Sequence, residues 1–113
     1  MGKERRVQQR TKAAIPLVID GTDENGESFK ESVTALELSR RGTSFLTGRS
    51  YGEESQVSVT IPGRGPFRPH QGPTDFVARA IVVRVSRLKE EDRNRVSLRF
   101  LGSTFPTYTS EKT

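Results

Sequence analysis

The chain has no cysteine and no tryptophan, a single histidine and a single methionine among its 113 residues. Without cysteine neither a disulfide frame nor a thiolate metal site can form. No apolar run approaches the roughly 20 residues of a membrane-spanning helix, and the polar start does not read as a signal peptide. The expected location is therefore a reducing cytoplasm, with no membrane insertion. The lone histidine, His70, lies in a stretch dense in proline and glycine with no evident partner, so it reads as a solvated loop residue. There is no Gly-x-Ser-x-Gly turn, no spaced metal-ligand motif and no nucleophile paired with a base. That argues against an enzyme and against a resident cofactor or metal.

What is present is enough for one domain with a thin core. Val, Ile, Leu and Phe make up 27 of 113 residues, roughly 24%, above the level of about 20% below which a charged chain stays disordered. The net charge is +5 and it is unevenly spread. Residues 1–12 hold five basic groups against one acid, and the other 101 residues carry 14 basic and 13 acidic groups. The excess sits in an N-terminal arm, which suits an anionic partner.

Turn signals divide the rest into short strands. Ala13 to Asp20 reads as the first, with Ile15, Leu17 and Ile19 on one face; Pro16 restricts it to an edge or to a place where its missing N–H is not needed. Asp20-Gly21 and Glu24-Asn25-Gly26-Glu27 are turn signals that close a hairpin onto a second strand, Ser28 to Ser39. A third covers Thr43 to Thr47, followed by a turn over Gly48 to Gly52. Gln56 to Ile61 alternates with Val57, Val59 and Ile61 inward. Pro62 to Pro73 contains four prolines and three glycines and reads as a long loop, in which Gly63-Arg64-Gly65 is a pattern for a small anion nest. In Phe76 to Leu88 the expected inward face is Val77, Ile81, Val83 and Val85; Arg79 shares it, which calls for a bulge or a solvent-facing strand end there. Arg95 to Phe100 points Val96, Leu98 and Phe100 inward. Residues 103–113 lack periodicity and read as a disordered tail. Five or six antiparallel strands with little helix predict an all-β domain, a small closed barrel or sandwich.

One stretch stands out, Glu37-Leu38-Ser39-Arg40-Arg41-Gly42. The period of two sets Glu37 and Ser39 on one face and Leu36 and Leu38 on the other. Gly42 then allows a positive φ or a close approach that a Cβ would block. The single hairpin brings the far end of strand two back beside the start of strand one, where the arm begins.

Arg6-Val7-Gln8-Gln9-Arg10 in the arm, followed about thirty residues later by Glu37-x-Ser39-x-x-Gly42, resembles the paired motif of the PilZ domain. That family carries Arg-x-x-x-Arg, then Asp/Asn-x-Ser-x-x-Gly; the match departs from it at Glu37. The resemblance implies a six-stranded antiparallel barrel of the split-barrel type over 13–102, with residues 1–12 as a flexible arm. It also implies a bacterial second-messenger receptor for cyclic dimeric GMP.

The chemistry fits that ligand. The guanidinium fork of Arg6 or Arg10 can donate to guanine O6 and N7, stack on the base, or pair with a phosphate. A carboxylate at Glu37 can accept from guanine N1 and N2, and the Ser39 hydroxyl and the backbone near Gly42 complete a polar floor. Arg5 and Arg41 flank the set. Glu37 is one methylene longer than the family acid, which moves its carboxylate outward and adds a rotor at a cost of about 0.5–1 kcal/mol. Two other functions compete with this one. One is a degenerate module that contacts a downstream protein and binds no nucleotide. The other is a nucleic-acid-binding barrel, which needs basic residues spread across a strand face together with stacking aromatics. The scattered tyrosines and phenylalanines speak against the second, so no nucleic-acid partner is expected.

Overall fold

The computed structural model describes residues 14–23, 25–102 and 105. It contains six strands, β1 (Pro16–Thr22), β2 (Ser28–Leu38), β3 (Gly42–Thr47), β4 (Gln56–Ile61), β5 (Phe76–Leu88) and β6 (Arg93–Leu101). All neighbours run antiparallel in the ring order β1-β2-β3-β6-β5-β4, and β4 pairs back onto β1 to close the barrel. The β1–β4 ladder covers Val18 to Asp20, so Pro16 pairs with Thr34 on β2 and has no partner on the β4 side. It is tolerated as the first residue of its strand, where no ladder donor is required.

Alternation fills the interior. Leu17 and Ile19 from β1, Phe45 from β3, Val57, Val59 and Ile61 from β4, and Val96, Leu98 and Phe100 from β6 are buried. The two ends are closed by aromatic clusters. At one, Phe76 packs edge-on against Phe100 at 5.4 Å and Phe105 at 5.2 Å. At the other, Tyr51 lies edge-on between Phe29 at 5.3 Å and Phe45 at 5.6 Å. Such pairs add about 0.5–1.5 kcal/mol each beyond burial. Phe105, expected in a featureless tail, is therefore a core residue, and its N–H donates to the Arg40 carbonyl at 2.9 Å. Tyr51, expected in a turn, is buried too.

Several expected faces differ from the observed ones, and bulges are the main reason. In β5 the inward residues are Phe76, Ala78, Ala80 and Val82, while Val77 and Val83 are 61% and 48% exposed. Alanine carries too weak an apolar signal to mark an inward position, so the larger valines misdirected the assignment. The bulge falls between Val82 and Arg84, not at Arg79, and beyond it Val85 packs against the core. In β2 a second bulge lies between Ala35 and Glu37. It turns Leu36 outward, 44% exposed, whereas Ala35 and Leu38 pack on the core. The expected apolar wall of Leu36 and Leu38 is thus one residue, Leu38.

The glycines also divide. Gly26 makes the β1–β2 turn with φ of 83°, but Gly21 lies within β1. A Cβ at Gly21 would meet Val57 Cγ1 at 2.8 Å and the Phe29 ring at 3.1 Å. In the long loop the N–H groups of the expected nest are all spent: Gly63 donates to Asp75 Oδ1 at 2.9 Å, Arg64 to Ile61 O at 3.3 Å and Gly65 to Thr74 O at 2.8 Å. No anion can be held there by those donors. His70 is exposed in the same loop.

Candidate functional site

The β2–β3 corner is built from its own polar groups. The Ser39 N–H donates to Gly42 O at 2.9 Å and closes the turn. The Ser39 hydroxyl accepts from the Arg41 N–H at 3.3 Å and donates to Gly42 O at 3.4 Å, a local turn contact typical of serine. Thr43 Oγ1 donates to Glu37 O at 2.7 Å and ties the two sides together. The carbonyls of Arg40 and Arg41 accept from the N–H groups of Phe105 and Phe100. That fixes the corner against the end of β6 and leaves the side chains of Arg40 and Arg41 in solvent.

Gly42 is needed for closeness, not for a left-handed backbone. Its φ is not positive, and a Cβ there would run into the carbonyl oxygen of Leu98, with Leu98 C at 3.1 Å and Arg99 Cα at 3.2 Å behind it. Strands β3 and β6 touch at this point. The motif glycine therefore sets the spacing of the barrel wall beneath the corner.

Glu37 points outward beside β3. Its side chain is 75% exposed and its Oε1 lies 3.5 Å from Arg95 on β6. The register explains the meeting. Glu37 pairs with Ser44, Ser44 with Ser97 and Leu46 with Arg95, so Arg95 reaches diagonally across β3. Under this ion pair the Ser44 hydroxyl is buried and, among the described residues, has no hydrogen-bond partner. A buried, unsatisfied hydroxyl costs about 1–3 kcal/mol. Sequence reasoning missed this hydroxyl, as it missed Arg95. Their signal was available only as alternate positions on neighbouring strands.

Arg5, Arg6 and Arg10 lie outside the described residues. What the structure does describe is the point where the arm joins the barrel. Pro16 pairs with Thr34, and the Ala35 N–H donates to Ile15 O at 2.9 Å. The chain thus begins β1 two residues of β2 away from Glu37. Glu37, Ser39, Arg41 and Gly42 come together there.

A second polar cluster sits at the opposite end. Glu31 on β2 accepts from Thr47 Oγ1 and from Tyr51 Oη at 2.8 Å, and Arg49 Nε lies 3.6 Å from it. Arg49 also stacks over Phe29 at 4.3 Å. Burial, then the hydrogen bond to the Glu31 carboxylate, pushes the Tyr51 hydroxyl far above the usual tyrosine range. Every group in this cluster is matched, so it reads as a structural clamp. Among the described residues no three His, Asp or Glu side chains are grouped to hold a metal ion.

The fold and corner together define a closed six-stranded antiparallel barrel with a polar, cation-flanked β2–β3 turn. No family model, curated protein or solved structure matches this chain.

Proposed function

We propose that this domain is a receptor module for cyclic dimeric GMP, of the PilZ type, in which Arg6 and Arg10 close over guanines resting on the Glu37–Gly42 corner. The observation that carries the reading is the pairing of Pro16 with Thr34 and of Ile15 O with the Ala35 N–H. Arg10 lies five residues before Ile15, and an extended chain spans at most about 3.3–3.6 Å per residue, so the arm can reach roughly 17 Å. The corner begins four residues beyond Ala35, within that reach.

The remaining pieces suit the ligand. Glu37 is free to accept from a guanine once it leaves Arg95, and an ion pair this exposed is worth at most about 1 kcal/mol. Arg95, released, becomes a donor for phosphate. Ser44 offers an unspent hydroxyl beneath both.

A module that docks a downstream protein without nucleotide is the second reading. It is favoured by the Ser39 hydroxyl and the Glu37 carboxylate already having partners within the barrel. Calorimetric titration with cyclic dimeric GMP separates the two. The wild-type chain gives a saturable heat, Arg6→Ala or Arg10→Ala abolishes it, Ser39→Ala weakens it, and Glu37→Asp strengthens it. A silent wild type at millimolar ligand overturns the first reading and leaves the second.

A further inference from the structure

Strands β3, β4, β5 and β6 contain no aspartate, glutamate or lysine, yet β5 and β6 carry six arginines. The acids among the described residues lie elsewhere: in and around the β1–β2 hairpin, on β2, in the loop before β4, beside Thr74, and at the 3₁₀ turn Lys89–Glu91 with Asp92. A near-neutral total over residues 13–113 thus conceals a ladder whose own charges are all positive, bordered by two acids: Glu53, which accepts from the Val85 N–H at 3.1 Å, and Glu37 at Arg95.

The register orders that face. The outward pairs of the β5–β6 ladder are Arg79 with Leu101, Ile81 with Arg99, Arg84 with Ser97, Ser86 with Arg95, and Leu88 with Arg93. Each of these five successive rows holds one arginine. Rows are two residues apart, about 7 Å, so the ladder runs about 27 Å along the barrel wall. That interval is commensurate with the separation of successive phosphates along one nucleic-acid strand. Arg79, Arg84, Arg93 and Arg99 are exposed and Arg95 partly so. Among the described residues Arg84, Arg93 and Arg99 make no ion pair; Arg79 donates to the Gln56 amide at 2.6 Å, and Arg95 meets Glu37.

From this geometry we infer that the β5–β6 face docks the phosphate backbone of double-stranded nucleic acid, through arginines that, Arg95 apart, lie outside the nucleotide corner. Guanidinium groups match phosphate oxygens, and one per row lets successive arginines engage successive phosphates. The duplex is the partner of choice because the ladder offers no stacking platform: Phe76 and Phe100 point into the core, and no aromatic side chain of β5 or β6 faces outward. The contacts are to backbone, so binding is indifferent to sequence and steeply dependent on salt.

The test is fluorescence anisotropy of a labelled 20-base-pair DNA duplex of arbitrary sequence with the full chain at 50, 100 and 200 mM salt. Three to five phosphate contacts give a log–log slope of about −2.7 to −4.5, a loss of about 40- to 500-fold over that range. Arg84→Gln with Arg93→Gln lowers the slope by about 1.8 and weakens binding at least tenfold at 50 mM. Arg84→Lys with Arg93→Lys keeps the charge and keeps the slope, which separates charge from misfolding. Several results overturn the inference. They are no binding at 50 mM salt, an unchanged slope in the glutamine variant, and loss of binding on Arg6→Ala with Arg10→Ala while that glutamine variant still binds. Tighter binding of a single strand of equal length, of poly-glutamate, or of phosphatidylserine vesicles also overturns it.

Discussion

Three glycines of this barrel are predicted to respond to alanine in three different ways, and Gly42 is the severe case. A Cβ at Gly42 enters the carbonyl oxygen of Leu98, which is backbone held in the β3–β6 ladder and cannot rotate away. Relief requires β3 and β6 to part by about 1 Å, which weakens one or two ladder hydrogen bonds at about 1 kcal/mol each and adds strain of about 1–3 kcal/mol. Gly42→Ala should therefore cost about 3 kcal/mol. For a domain of this size 1 kcal/mol moves Tm by about 4 °C, so the expected fall is about 12 °C. Gly102→Ala has open space around it but a φ of 77°, so only the backbone penalty of about 1 kcal/mol applies. Gly48→Ala meets nothing within 4 Å and has no positive φ, and the smaller entropy of the unfolded chain should stabilise it by about 0.4–1 kcal/mol. Thermal and urea unfolding of the three variants read the order directly. Gly42→Ala with the stability of Gly48→Ala would refute the close approach of β3 to β6, and with it the spacing assigned to the corner.

Tyr51→Phe removes the hydroxyl that donates to Glu31 and should cost about 1–2 kcal/mol in urea unfolding. Tyr51 ionises far higher folded than unfolded, so its contribution is intact below pH 10 and is lost as pH rises above it, by up to about 1.4 kcal/mol per pH unit. In a Tyr108→Phe background, phenolate absorbance at 295 nm should accordingly appear only together with unfolding; its appearance near pH 10 in the folded protein would contradict the buried clamp. Phe105→Ala opens the aromatic end of the core and should cost about 3 kcal/mol, with a matching loss of Tm.

The strands were legible because their signal is local. Val57, Val59 and Ile61, and likewise Val96, Leu98 and Phe100, alternate without interruption, and the structure buries all six. Where a bulge intervenes alternation breaks: one extra residue in β2 and one in β5 put Leu36 and Leu38, and Val83 and Val85, on opposite faces, and nothing in their neighbours' chemistry marks where the extra residue falls. The corner itself was legible as Ser39 and Gly42, because a turn draws on nearby residues. The reason for Gly42 was not, since its constraint comes from Leu98, 56 positions away.

Six strands, one antiparallel domain and the positions of most turns thus follow from residue order alone, through periods and breakers that act over a few bonds. Which strands become neighbours is a matter of closure. The ring order β1-β2-β3-β6-β5-β4 inserts β6 between β3 and β5, and only that brings Arg95 to Glu37 and aligns five arginines into a single row-by-row ladder. Charge counted along the chain sums to near neutrality after the arm; charge counted across paired strands does not, because pairing sorts residues by face rather than by sequence.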